Sequence, residues 1–278
     1  MIKRIRGTHG PAYLNHLFLI LMTLFAIVPI LILTFNSVKT RQQVGQNPLG
    51  FPSEIHLENY TNAWEEGKFS TTVANSLIYV GSTVFLVLTF GGLAAYSLAR
   101  LNPPGANGFM LYMLVASTIP LWLYVIPLFF LWRSIGLLNN RIGLIIIYTA
   151  FNAPFAIFLL RSFLLAVPVD LEDAAKIDGA GELAVFFHVV MPIAWTGFLT
   201  VGLVVALGVW GEYQVALIMM HDPNLFPVTT SYSAFTQRFG RDWALTSSAA
   251  VMMIAPVIFL FLGLQRQFIE GLTQGSVK

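Results

Sequence analysis

The stretch 168–192, PVDLEDAAKIDGAGELAVFFHVVMP, lies between long apolar runs and gathers five of the chain's 13 carboxylates, Asp170, Glu172, Asp173, Asp178 and Glu182. In a chain only 10% charged, such a concentration marks a loop that meets another protein. Residues 169–177 read as a short surface helix. Asp170, Glu172 and Asp173 occupy its first turn, where unpaired amides favour negative charge, and Ala174 and Ala175 leave the backbone open to close approach. Asp178-Gly179 reads as a turn, because glycine accepts backbone angles that other residues resist. The apolar piece 182–190 reads as a second arm lying against the neighbouring helices, with Pro168 and Pro192 closing a short helix-turn-helix.

Outward from this hairpin the chain is 56% hydrophobic, with far fewer charges than the roughly 25% of a soluble domain. Six runs, 17–35, 72–99, 109–132, 142–165, 193–220 and 244–264, can each supply the apolar length of about 20 residues that crosses about 30 Å of hydrocarbon as a helix. Alternating ten-residue strand patterns are absent, so the expected class is an all-α membrane protein with six transmembrane helices. Asn75, Ser76, Gly91, Gly92, Gly202 and Gly208 interrupt the second and fifth runs. Pro120, Pro127, Pro154 and Pro256 should kink their helices, by removing a donor and crowding a carbonyl.

Without cysteine, disulfide and thiolate chemistry are excluded. Lys3, Arg4 and Arg6 precede an apolar run longer than a signal core, so the first run is expected to be a retained helix. Orientation rests on that basic triplet. With six spans, the flanks on the two sides hold eight and seven of the 15 cations, almost no bias. A cytoplasmic start gives a cytoplasmic segment 1–16, a membrane domain 17–264 with the hairpin inside the cell, and a cytoplasmic tail 265–278.

The connections are short. Between the first two spans, Pro48, Gly50 and Pro52 argue for turns, while Leu57, Tyr60 and Trp64 recur at helical spacing and suggest an amphipathic helix at the outer interface. NPPGANG at 102–108 closes the second span, and 221–243 makes a longer outer connection that faces a soluble partner, covers a pore mouth or is merely ordered.

DAAKIDGAG, with VVMP following it nine residues after Gly179, resembles the cytoplasmic signature of binding-protein-dependent ABC importers: an acid and two alanines, a spaced glycine, then an aliphatic-x-leucine-proline ending. Asp173 stands where that family more often has glutamate, and Met191 where leucine is usual. The IDGA form, the closing QRQFIEGLTQGSVK at 265–278 and FNSVK at 35–39 resemble more specifically the second permease subunit of carbohydrate importers of the maltose, glycerol-phosphate and oligosaccharide type. The similarity covers nearly the whole chain.

The resemblance implies the type I ABC importer permease fold with a cytoplasmic coupling helix between helices 4 and 5. It also implies a bacterial or archaeal inner-membrane location. Its partners would be a homologous second permease, a dimer of ATP-binding subunits, an extracytoplasmic solute-binding protein, the bilayer and a sugar; no nucleic acid is expected. ATP and Mg2+ belong to the ATPase subunits, since GxxxxGK[ST] is absent here, and this chain is not expected to be an enzyme or to bind a cofactor or metal. By the same resemblance, Glu172, Asp173, Ala174, Ala175, Asp178, Gly179 and Pro192 would form the ATPase-coupling element, with Gly275 and Ser276 as tail contacts.

Other polar residues stay open between two readings. Glu212 either lines a cavity or gate, since a carboxylate within hydrocarbon is costly, or belongs to a structural hydrogen-bond network. Asn75, Ser76 and Asn152 either line a hydrophilic path or join helices. Trp122, Tyr124, Phe129, Phe130 and Trp132 could stack on sugar rings or face lipid. His9, His16, His56, His188 and His221 form no close ligand cluster. A permease for another solute class and an ion-coupled carrier are the alternative functions; the latter would need its own midplane coupling groups.

Overall fold

The computed structural model describes residues 12–274, with side chains over 13–266, and every regular element among them is helical. In chain order these are α1 (Ala12–Ser37), α2 (Arg41–Gln46), α3 (Glu58–Glu66), α4 (Phe69–Leu101), α5 (Ala106–Thr118), α6 (Leu121–Ser134) and α7 (Arg141–Leu165). They continue with α8 (Val169–Ile177), α9 (Glu182–Ile193), α10 (Trp195–Gly211), α11 (Gln214–Met219), α12 (Val228–Phe239) and α13 (Trp243–Gln274). Among the described residues four helices, α1, α4, α7 and α13, are long and apolar enough to cross a membrane, and the bent pairs α5–α6 and α9–α10 bring the number of spans to as many as six. The chain is thus an all-α multi-span membrane protein.

Two compact units are present, one from the chain up to Gly67 plus Phe235–Ile254, the other from Lys68–Ala234 plus the chain beyond Ala255. In the first, Ser37 is a junction: Asn59 Nδ2 donates to its carbonyl at 3.0 Å and Ser248 Oγ to the same carbonyl at 2.8 Å. Lys39 is buried there, its ammonium donating to Asn36 Oδ1 and the Asn47 carbonyl, both at 2.9 Å. Burial pushes that ammonium below its ordinary pKa.

In the second unit, α4, α7, α9 and α10 share one core. Leu144, Ile147, Tyr148, Leu160 and Leu164 repeat at helical spacing along α7 and meet Tyr79, Val87 and Ala95 of α4 and Phe198, Val201 and Val205 of α10. Small residues permit the approach, as expected where helices associate by packing in lipid. A Cβ on Gly92 would lie 2.9 Å from a Phe198 ring carbon, and one on Gly197 only 2.4 Å from Phe163.

Several sequence expectations are met and others corrected. The turn at 102–108 closes α4, with Asn102 and Gly105 at positive φ, and the amphipathic segment around Tyr60 and Trp64 is α3. The run 109–132 is not one straight span: α5 and α6 meet at 97°. Pro120 cannot donate, and Ile119 before it is driven into extended backbone. Pro127, Pro154 and Pro256 lie inside helices, as does Pro29. The run 193–220 is also divided, because Glu212 leaves helical geometry and α10 stops at Gly211. The segment read as turns contains α2, held by a capping box in which the Thr40 hydroxyl accepts from Gln43 N–H while Thr40 N–H donates to the Gln43 side chain.

Candidate functional site

The hairpin forms as its composition suggests. α8 ends in a Schellman motif: Gly179 N–H donates to the Lys176 carbonyl at 3.0 Å and Ala180 N–H to the Ala175 carbonyl at 3.0 Å. The motif requires Gly179 at φ +90°, and no atom lies within 4 Å of where its Cβ would be. On the far side, Val185, Phe186 and Val190 bury the α9 arm in the helical core. Before Pro192 the arm widens into a π turn in which Met191 N–H reaches back to the Phe186 carbonyl. His188 is exposed, its ring Nδ1 donating to the Ala184 carbonyl at 3.1 Å.

The coupling residues proposed from sequence divide between two faces. Asp173, Ala174, Asp178, Gly179 and Pro192 are exposed, and Ala175 is half-buried against the core. Ile177, 87% exposed, adds an apolar knob to the same tip. Glu172 points the other way: it is 2% exposed and bound within its own chain. Helical spacing explains this, since Glu172 and Lys176 lie one turn apart on the inner flank of α8 while Asp173 is rotated outward. Gly275 and Ser276 lie outside the described residues.

What holds Glu172 is a buried clamp. Arg100 Nε donates to Glu172 Oε1 at 2.6 Å, and Arg100 Nη2 donates to the Leu164 carbonyl at 2.8 Å and the Val167 carbonyl at 2.6 Å. One guanidinium therefore pairs with α8 and adds a side-chain donor to two carbonyls at the end of α7 and just beyond it, the Leu164 carbonyl also accepting from Val167 N–H at 3.2 Å. Tyr96, one turn earlier on α4, places its single hydroxyl proton between Glu172 Oε2 at 3.2 Å and Glu182 Oε2 at 3.0 Å. Lys176 closes the network with a 2.8 Å bridge to Glu182, and that hydrogen bond raises the lysine pKa. Arg161 Nε donates to the Leu98 carbonyl at 3.2 Å, a further tie between α7 and the end of α4. Tyr96 and Arg100 escape a sequence reading that treats Arg100 only as a flanking charge. Their i, i+4 spacing at the end of a span, just before a turn, is the signal that could have found them.

The pathway candidates are engaged in hydrogen bonds, of which those of Glu212 and Asn75 tie separate segments together. Glu212 accepts from Tyr148 Oη at 2.6 Å and from the main-chain amides of Val215 at 2.7 Å and Ala216 at 3.1 Å, so it caps α11 across the break after α10. Buried Asn75 donates to the Asn224 and Phe226 carbonyls and accepts from Arg141 Nη2 at 2.8 Å. Asn152 donates to the Tyr148 carbonyl of its own helix at 2.8 Å. Of the aromatic candidates, Trp122 and Phe130 are exposed, whereas Trp132 donates its indole N–H to the Gly143 carbonyl at 3.0 Å. Among the described residues, no group of three or more His, Asp or Glu is placed to hold a metal ion.

The chain as a whole has counterparts among known proteins. The family model for the binding-protein-dependent transport system inner membrane component matches residues 87–274. The chain is 34% identical over 269 residues to the diacetylchitobiose uptake system permease protein NgcG of Streptomyces coelicolor, covering 96% of this chain and 89% of that one. It is 31% identical over 252 residues to the melibiose/raffinose/stachyose import permease protein MelC of Bacillus subtilis, covering 90% and 91%. In three dimensions it matches a chain from the crystal structure of a bacterial ABC transporter involved in the import of the acidic polysaccharide alginate. The TM-score is 0.81 at 24% identity, over 96% of this chain and all of the other, which shows a common fold. The helices, the hairpin and these matches agree: the chain belongs to the inner-membrane components of binding-protein-dependent transport systems, the permease subunits of ATP-driven ABC importers that act with a separate ATPase.

Proposed function

We propose that this permease imports a carbohydrate and that 168–192 is its coupling element, facing the cytoplasm between the fourth and fifth spans. Both termini then lie on the cytoplasmic side. The single observation that carries the coupling reading is the division of the hairpin. The Asp173, Ala174, Asp178 and Gly179 face is open, and the opposite flank is fixed by Glu172 to Arg100. An exposed small-residue surface on a rigidly mounted helix can receive a displacement and pass it on. Asp173 and Asp178 supply charge to an ATPase cleft, Ile177 an apolar contact, and the empty space at Gly179 lets the partner's backbone approach. Glu172 contributes by holding the helix, and Pro192 by ending the arm. Gly275 and Ser276 would extend the contact.

The carbohydrate assignment is supported by the relatives, whose names specify diacetylchitobiose and melibiose, raffinose or stachyose. A second permease would complete the translocation pathway, and an extracytoplasmic binding protein would deliver the sugar. The test is reconstitution of the chain with its second permease, ATPase and binding protein, followed by ATP-dependent uptake of labelled di- and oligosaccharides. Accumulation of a sugar supports the proposal. Uptake of an amino acid or metal instead, by a complex that rejects all sugars, overturns the substrate class.

A further inference from the structure

Helix α4 is gripped near both of its ends by different parts of the chain. Near its C-terminus are the Tyr96 and Arg100 contacts to the hairpin and to the end of α7. Near its N-terminus three residues within little more than a turn, Asn75, Ser76 and Tyr79, hold the main chain that leads into α12. Asn75 Nδ2 donates to the Asn224 carbonyl at 2.8 Å and the Phe226 carbonyl at 3.1 Å, Tyr79 Oη donates to the Leu225 carbonyl at 2.7 Å, and Val228 N–H donates to Ser76 Oγ at 2.8 Å. These bonds seize the path of the loop backbone itself, and Arg141 fixes the orientation of the Asn75 amide. Asn75 and Arg100 are about 25 residues apart on one helix, roughly 38 Å at its rise per residue, enough to span a bilayer. Between them α4 packs at Gly92 against Phe198 with no room for a Cβ.

We infer that α4 is a pushrod: displacement of the hairpin reaches 224–228 on the opposite membrane face through α4, with Arg100 and Asn75 as positioning residues at its two joints. This rests on the coupling role proposed for the hairpin. Covalent linkage alone would deliver the displacement to α7 and α10. The clamp adds a third helix whose far end holds a loop on the side where a binding protein docks, so that face would register the nucleotide state of the ATPase.

The chain has no cysteine, so Asn224→Cys, whose exposed side chain makes none of these contacts, accepts a single environment-sensitive fluorophore in the assembled transporter. The cysteine-free chain labelled in parallel gives the blank, and Ile177→Cys reports on the hairpin. ATP with Mg2+ is expected to change the signal at both positions. Arg100→Gln and Asn75→Ala are each expected to shrink the response at 224 about threefold or more, while Asn75→Ala leaves the response at 177 intact. If Arg100→Gln does not assemble, Arg100→Lys takes its place, since it keeps the charge facing Glu172 but cannot serve both carbonyls. A full response at 224 in assembled variants overturns the pushrod while leaving the hairpin's role standing. Absence of any response at 177 and 224 in labelled complexes that keep Arg100 and Asn75 overturns the coupling role and the pushrod with it.

Discussion

Arg100 and Glu172, 72 positions apart in sequence, meet through a 2.6 Å bond between Nε and Oε1, with side chains only 10% and 2% exposed. The pair joins the end of α4 to the inner flank of the hairpin helix. A buried ion pair is weak evidence of net stability, because desolvation offsets its attraction, but removing one partner strands the other.

That asymmetry gives the first prediction. Arg100→Gln leaves Glu172 without its cation and takes the guanidinium away from the Leu164 and Val167 carbonyls, so it should cost about 3–5 kcal/mol. Glu172→Gln retains an acceptor for Tyr96 and leaves the Arg100 bonds to both carbonyls, and it should cost less. Thermal unfolding of the detergent-solubilised complex orders the two; equal losses would contradict the carbonyl-capping role of Arg100.

Gly179 makes a different kind of prediction. Any non-glycine side chain at its φ of +90° is strained, by about 1–2 kcal/mol, yet no neighbour in this chain would collide with it. Gly179→Ala should therefore lower the melting temperature slightly. If the ATPase docks at this face as proposed, Gly179→Trp should abolish uptake by filling the open space there, while the chain still inserts. Parallel measurements of ATP hydrolysis and uptake decide this, and unchanged uptake with tryptophan present would refute docking at this position.

Gly92 tests packing within the membrane. A methyl group there meets Phe198 at 2.9 Å and Phe186 at 3.4 Å, two rings of the core. Gly92→Ala should destabilise by about 1–3 kcal/mol through overpacking, and Phe198→Leu in the same chain should recover part of the loss. The double-mutant comparison by thermal melt checks it; strict additivity would show that the contact is not the cause.

The Lys176–Glu182 bridge supplies a pH prediction. The hydrogen bond to Glu182 raises the Lys176 pKa. Its contribution is therefore present below the ordinary lysine value and lost only as pH rises through the folded value above it. Both groups are more than a third exposed, so Lys176→Met should cost no more than about 1 kcal/mol. The melting difference from the unsubstituted chain should stay constant between about pH 7 and 9. A difference that shrinks across that range would place the lysine pKa below its ordinary value.

Much of the architecture is local and was legible in the residues. Long apolar runs must form helices in lipid, because backbone groups there find no other partners, and Asp178-Gly179 and NPPGANG specify turns through their own backbone preferences. The Thr40 capping box was equally local and could have been read from Thr40 and Gln43, three residues apart. The 97° break at Pro120 was harder to place, because Pro127 and Pro154 carry the same local signal and yet sit inside α6 and α7.

The sequence alone determined that this chain crosses a membrane as helices and offers an acidic, glycine-jointed hairpin between two of them. Only the tertiary structure decided which carboxylate is exposed and which faces inward, and that Asn75 and Glu212 bond to other segments instead of standing free. The physical reason is range. Periodicity and turn preference act within a few residues, whereas Arg100 finds Glu172, and Asn75 finds the loop at Asn224, only after distant helices have packed.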